Sequence, residues 1–451
     1  MQKDLKKTEL FLQFVFYFFG FVLPWQTRWI IQSGALGEYT TISLYASDII
    51  LLLLLALALP RIIKKFTPSA PIPIYWWILA GFEFFVFISF WMASDKMLAL
   101  QAYGRLLLGF GLFWLMGQCL VEQSKFLFFL LLSILGQALL AIWQFLAQKT
   151  FAFKWLGVAA HSTAQGGTAV VESLGAERWL RAYGGMGHPN ILGGMLAIAI
   201  VLLVFWFWRL REPDFRHKIF YWFALVAYLA ALFFSFSRSG WLMLVVGAFI
   251  FSSNWLFVRP IARYPSWITA TGVAMLAVIV LLVGFYGDLV KVRFLAQGRL
   301  ENKSIVERIQ SLRSALGVIK DNFWGVGVGN YVFFNASNDI NLAIHYPQPV
   351  HNGFLLMGAE VGVGGAIIFI WLLINIAKKI WFLRKDDFIG YLEGIILLAM
   401  LVVGWSLDHY WWSLHFGILW FWLILGLIKG IGVCKNRTKI EMIVDLSLIH
   451  I

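Results

Sequence analysis

Apolar blocks of about 17–25 residues recur along nearly the whole chain, and they limit its possible folds more than any other feature. A helix needs about 20 such residues to cross a hydrocarbon core of about 30 Å. The alternating pattern of short barrel strands is not seen, so the expected spans are helical. Composition agrees. The chain is 61% hydrophobic and 13% charged, where a soluble domain is about 45–50% apolar and about 25% charged.

The blocks place spans at 10–24, 41–60, 72–93, 97–120, 126–147, 189–208, 219–236, 240–258, 266–286, 352–376, 389–407 and 411–428. The expected fold is therefore all-α: a polytopic integral membrane protein of about twelve transmembrane helices. The stretch after Lys3, Lys6 and Lys7 lacks a small-residue cleavage site and reads as the first span rather than a signal peptide.

A net charge of +13 could suggest nucleic acid, but the cations cluster between apolar blocks. Basic loops at membrane edges explain them without any nucleic-acid partner. With both termini in the cytoplasm, every inner connection is basic. These carry Arg61/Lys64/Lys65, Lys125, Arg209/Arg211/Arg216/Lys218, Arg259/Arg263, Lys378/Lys379/Arg384/Lys385 and Lys429/Lys435/Arg437/Lys439. With the N-terminal lysines they make 21 of the 36 basic residues. Short outer turns hold only Arg28, Lys96 and Arg238. Cys119, placed in a span, and Cys434, in the tail, make a disulfide or metal framework unexpected.

The chain divides into a five-span N-terminal bundle (1–147), a first outer loop (148–188), a four-span segment (189–286), a large outer loop (287–350) and a three-span C-terminal segment with a basic tail (351–451). The large loop carries an expected amphipathic helix over 305–320, opened by a Ser304/Glu307 capping box. Ile305, Ile309, Leu312, Leu316 and Ile319 form its apolar stripe, with Arg308 and Arg313 on opposite flanks. Such a helix is expected to lie on the membrane surface. Gly325-Val-Gly-Val-Gly329 reads as a flexible turn, since it has neither a preceding strand nor a Walker lysine.

Three outer-face residues suggest chemistry. Arg238 stands at a tight turn between two spans, Arg308 on the amphipathic helix, and His351 at the mouth of a span. Each has a plain structural alternative: snorkelling, a headgroup contact and a satisfied hydrogen bond, respectively. Together, two guanidinium forks suit a diphosphate, and an imidazole suits proton transfer near neutral pH. That set fits glycosyl transfer from a lipid diphosphate. It needs no metal or other cofactor if the arginines neutralise the leaving group.

The order of motifs resembles the O-antigen ligase and polymerase superfamily of bacterial envelope enzymes over about 180–375. The matching pieces are Arg181-Ala-Tyr-Gly-Gly-Met-Gly-His-Pro-Asn190, Ser237-Arg238-Ser-Gly-Trp241, Glu307-Arg308 with Gly325-Val-Gly-Val-Gly-Asn-Tyr331, and His351-Asn352-Gly-Phe-Leu with Glu360-Val-Gly362. The resemblance implies a polyprenyl-diphosphate-linked glycan donor, a glycolipid, glycan or protein acceptor, and a metal-independent site on the outer face of the bacterial cytoplasmic membrane. It implies that Arg238 and Arg308 bind the diphosphate and that His351 is the general base or orients the acceptor. Arg181, Asn190 and Asn352 would shape the cavity mouth. One departure is Phe323-Trp324, where the family often places a proline before the glycine turn.

Other polar residues are expected to be structural. His161, His188 and His345 occur singly, and Asp408-His409-Tyr410 reads as an outer turn because sequence neighbours on a helix do not face each other. Glu83 and Arg105, costly in lipid, are expected to pair. Tail residues 445–451 show no structural logic. Ligase and polymerase share one site design, so the motifs do not separate them. The rival of another class is a lipid-linked glycan flippase, against which stands the lack of any repeat relating the two halves; a structural scaffold for an envelope complex is a third.

Overall fold

The computed structural model describes residues 2–65, 73–173, 175, 177–210, 212–254, 265–294, 299–338 and 348–431. Arg259, Arg263, His345, Cys434, Lys435, Arg437, Lys439 and the tail at 445–451 lie outside that set.

Helices dominate. In chain order they are α1 (Gln2–Val22), α2 (Ala46–Lys65), α3 (Ile74–Met92), α4 (Lys96–Met116), α5 (Gln123–Ala147), α6 (Pro189–Arg209), α7 (Phe215–Ser235), α8 (Arg238–Ser253), α9 (Ser266–Phe294), α10 (Arg299–Asp321), α11 (Tyr331–Asn338), α12 (Gly353–Leu383), α13 (Phe388–Leu407), α14 (Tyr410–Ser413) and α15 (His415–Gly430). Among the described residues, eight helices are long and apolar enough to cross a membrane, and three shorter apolar ones run Ala46–Pro60, Arg238–Ser253 and His415–Gly430. These and α1 fall on the twelve expected span positions.

Two antiparallel hairpins depart from the all-helical expectation. β1 (Arg28–Gln32) pairs with β2 (Ile42–Tyr45), so the second span begins at Ala46 and not near 41. β3 (Val170–Glu172) pairs with β4 (Arg178–Leu180) in the first long loop. Both are too short to read as alternating strands. Cys119 falls in the turn after α4, not in a span.

Helix α6 is the axis of the bundle, 89% buried across its apolar window, whereas α9 is 17% buried and faces outward. It packs on α7 and α8, while α13 packs on α8 and α12, and α15 on α4. Gly193 and Gly194 make the close packing possible: a Cβ at Gly194 would run into Tyr410 Oη, and one at Gly193 into Ser237. Small residues at interhelical contacts are how membrane helices gain van der Waals contact without a hydrophobic drive.

The glycine turn is clamped, not flexible. Gly325, Gly327 and Gly329 all have positive φ, at 86°, 107° and 70°, a region that disfavours any Cβ. Helix α12 is broken at Gly362 (φ 84°), and the freed backbone turns toward this run. Val326 N donates to Ala359 O at 2.9 Å and Gly327 N to Glu360 O at 3.0 Å. The Glu360 side chain accepts from Gly329 N at 2.9 Å, Trp412 Nε1 at 2.8 Å and Tyr331 N at 3.3 Å. Phe323 O takes Val363 N at 3.1 Å, so the turn closes without a proline.

Candidate functional site

Chain direction changes abruptly where α13 ends. Asp408 is extended (φ −154°, ψ 154°), which swings its carboxylate away from the helix axis and into a gap between α6, α12 and α14. It is only 3% exposed, and a buried carboxylate must be paired or hydrogen-bonded. Its Oδ2 accepts from Asn190 Nδ2 at 3.0 Å. Asn190 Oδ1 accepts in turn from Arg181 Nη2 at 2.7 Å, and Arg181 Nε donates to Ser235 O at 2.8 Å. This line of bonds runs from α7 through the first long loop and α6 to the end of α13. It fixes the carboxylate against rotation.

Two imidazoles face the other oxygen. His351 Nδ1 lies 3.6 Å from Asp408 Oδ1, and His409 Nε2 lies 3.9 Å from it. At 3.6 Å the first contact is too long for a hydrogen bond; such contacts often tighten only with substrate bound. The rings of His351 and His409 are 5.3 Å apart, centroid to centroid. Asn352 sets the position of His351. Its side chain caps α12 by accepting from Leu355 N at 2.9 Å and donates to Ser406 O at 3.1 Å, one turn before Asp408.

Exposure separates the roles of the two histidines. His409 is sealed, with Nδ1 2.7 Å from Ser413 Oγ and Tyr39 packed edge-on at 5.5 Å. His351 keeps 23% of its side chain accessible. It is the member of the cluster that a substrate can reach. Burial pushes the Asp408 carboxyl up, but the histidines around it, His351 above all, outweigh it and hold it below the usual carboxylate range. Burial also holds His409 down to about 3, with His351 and Arg308 acting the same way and Asp408 opposing them. His409 is therefore neutral at physiological pH.

Helix α10 brings Arg308 to this cluster. The helix starts at Arg299, so Ser304 lies inside it and the anticipated capping box does not mark its beginning. It packs on α12 through buried Ala315 with Leu312 and Ile319, so it is a roof on the protein and not a free surface helix. Ile305, Ile309 and Leu316 stay exposed. Arg308 is half-buried with its charge felt at His409, while Arg313 points to solvent. Arg238 is the first residue of α8, also half-buried, next to the Ser237 cap that touches Gly193 of α6.

The structure thus brings Arg308 and His351 to one cluster and places Arg238 at the start of a helix packed on α6. Arg181 and Asn190, expected at the cavity mouth, are 5% and 7% exposed and stand behind Asp408 as its supports. Asn352 likewise positions rather than lines. Sequence reasoning passed over Asp408 and His409. The segment is a turn, as expected, but an acid at the end of a span must be solvated or partnered, and that signal pointed to a distant partner. His188 caps α6, its Nδ1 accepting from Asn190 N at 3.1 Å. Glu83 and Arg105 do not pair; the Arg105 guanidinium lies 5.5 Å from the Tyr45 ring centroid.

His351, Asp408 and His409 are also a possible metal-ligand set, with ligand atoms all within 4.8 Å of one another. Two imidazoles and a carboxylate suit a borderline divalent ion such as zinc. The positive charge of Arg308 acting on His409 opposes it.

Among known families, residues 223–370 match the family model described as O-antigen ligase. No curated protein matches the chain. The matched segment is about a third of the chain and contains Arg238, Arg308, His351 and Glu360, while Arg181, Asn190, Asp408 and His409 lie outside it.

Proposed function

We propose, on the support of the match to the O-antigen ligase family model at residues 223–370, that this chain is a membrane glycosyltransferase of the O-antigen ligase and polymerase kind, moving a glycan from a polyprenyl-diphosphate donor to an acceptor hydroxyl. The reaction takes place at the outer face of the bacterial cytoplasmic membrane, with both termini in the cytoplasm and about twelve spans.

His351 carries the reading. It is the accessible imidazole in a cluster whose acid, Asp408, is locked by Asn190 and Arg181. With Nδ1 turned toward Asp408, the Nε2 lone pair is left for the acceptor hydroxyl. In the proposed step the hydroxyl gives its proton to His351 as its oxygen bonds to the anomeric carbon. The bond from that carbon to the diphosphate oxygen breaks, and the diphosphate leaves with the electron pair. Arg308 and Arg238 stabilise the anion as it develops, which is where such charges lower a barrier most. Asp408 holds the imidazole orientation and stabilises the imidazolium. No metal is needed, because the guanidinium groups take the part a divalent ion would play.

Reconstitution in liposomes with a polyprenyl-diphosphate glycan and mixed acceptors tests this, with mass spectrometry reading which molecule gains sugar. Sugar on a second lipid-linked glycan makes the enzyme a polymerase; sugar on a lipid, glycan or protein of another kind makes it a ligase. EDTA should leave the rate unchanged. Donor crossing the bilayer with no sugar transferred would replace the enzyme reading with a flippase.

A further inference from the structure

Arg105 takes no part in the machinery above. It sits nine residues into α4, about 14 Å from Lys96 at 1.5 Å per residue. Arginine stays charged in proteins, and a charge at that depth must face protein or water and find compensation. The carboxylates around it are already engaged. Asp48 accepts from Tyr45 N at 3.1 Å and lies 2.6 Å from His415 Nε2. Glu38 pairs with Arg28 at 2.9 Å, and Glu360 is held by its three N–H donors. Among the described residues Arg105 makes no ion pair within 4.0 Å, and its Nε is buried without an acceptor. A ring 5.5 Å away offers only a weak cation–π contact.

The guanidinium lines a small cavity of about 40 Å³, room for one oxyanion group and not for a whole sugar, together with Tyr39, Gln101, Gly329, Glu360 and Ser413. Gln101 is committed on both sides, donating to Thr41 O at 3.0 Å and accepting from Ser43 N at 2.7 Å. It forms a wall. Ser413 and Tyr39 join the cavity to the histidine cluster, since Ser413 Oγ is 2.7 Å from His409 Nδ1 and the Tyr39 ring is 5.5 Å from the His409 ring. Asp48 and Glu38 act on the charge of Arg105 from a distance but are bonded elsewhere, so a cation with an unbonded Nε on a cavity wall is a receptor for an anion.

The geometry points to this cavity as an oxyanion subsite of the transferase, in which Arg105 holds a carboxylate or phosphate of the substrate, with Ser413 and Tyr39 between it and His409. The inference rests on the transferase reading. It names a residue of the N-terminal bundle, outside the matched family segment, as a determinant of substrate charge. The anion has two possible sources: an acidic sugar of the acceptor, or the donor's own diphosphate. A forked guanidinium suits either.

Binding to the purified full-length protein tests this without turnover, so it can fail while glycan transfer stands. Thermal unfolding is titrated with glucuronate, inorganic pyrophosphate and, as the neutral control, glucose. The Arg105→Gln variant should weaken glucuronate at least tenfold and leave pyrophosphate unchanged if the anion is the acceptor's. The reverse pattern assigns the subsite to the donor. Unchanged affinity for both anions overturns the proposal. Should the Gln variant not fold, Arg105→Lys keeps the charge and removes the fork. It should weaken one anion at least threefold, and affinities equal to wild type for both would equally overturn the subsite.

Discussion

Replacing Asp408 by Asn removes a charge while keeping size and, with its carbonyl turned toward Asn190 Nδ2, the bond that now runs at 3.0 Å. What is lost is the bond that His409 N now donates to Oδ1 at 2.9 Å, a stability cost read separately by thermal unfolding, and, for the rate, the attraction for the imidazolium that His351 becomes in the proposed transfer. At 3.6 Å and an effective dielectric constant of about 20, two unit charges attract by about 4.6 kcal/mol. The accessible side chain of His351 admits water, and the contact is not a hydrogen bond, so roughly half survives as a difference between ground and transition states. About 2 kcal/mol corresponds to about a 30-fold fall in the transfer rate. Single-turnover transfer in liposomes measures it, with donor in excess so that binding does not limit. The double variant Asp408→Asn/His351→Ala should be no slower than His351→Ala alone, because the carboxylate acts through the imidazole. A rate for Asp408→Asn within twofold of wild type would refute the reasoning, as would an additive double variant.

Four further outcomes follow. His409 is held down to about 3 against about 6.5 in an unfolded chain, so its neutral form stabilises the fold above pH 6.5 and that contribution is lost as pH falls toward 3. Wild type should therefore lose on the order of 2 kcal/mol more than His409→Gln between pH 7 and pH 5, read by thermal unfolding. Gly327→Ala meets both a φ of 107° and the Ala93 backbone; it should destabilise by about 2–4 kcal/mol, and an unchanged melting temperature would contradict the clamped turn. Arg308→Ala should lower transfer by about 100-fold, consistent with loss of one oxyanion-type donor, while Arg313→Ala, on the solvent side, should change it less than twofold. Finally, a membrane-impermeant maleimide should label Ser162→Cys in intact cells and Asp386→Cys only after permeabilisation, and the opposite pattern would invert the topology.

Much of the fold was legible because span length and apolarity are imposed by the bilayer and not by partners. Helices Pro189–Arg209 and Phe388–Leu407 lie within two residues of where the blocks of apolar residues placed them. The hairpins Arg28–Gln32/Ile42–Tyr45 and Val170–Glu172/Arg178–Leu180 were not legible, since strands of three to five residues carry too little alternation. In the site, Arg308 and His351 stood out as charged or titratable groups beside apolar spans. Asp408 did not, because its carboxylate is oriented by Asn190, 218 residues away, and no local pattern reports such a contact. Glu360 was legible as a motif but not as the anchor of the glycine turn, a role that needs the break at Gly362. Arg105 and Glu83 show the converse: two costly charges near in sequence suggested each other, while the fold gives each different surroundings.

The central claim is that His351 takes the acceptor proton while a polyprenyl-diphosphate glycan is transferred. Its most direct test is the rate of sugar transfer by His351→Ala in liposomes holding donor and acceptor, with folding verified by thermal unfolding. The account predicts a folded protein whose transfer rate falls at least 100-fold. Transfer at the wild-type rate by that variant would contradict it.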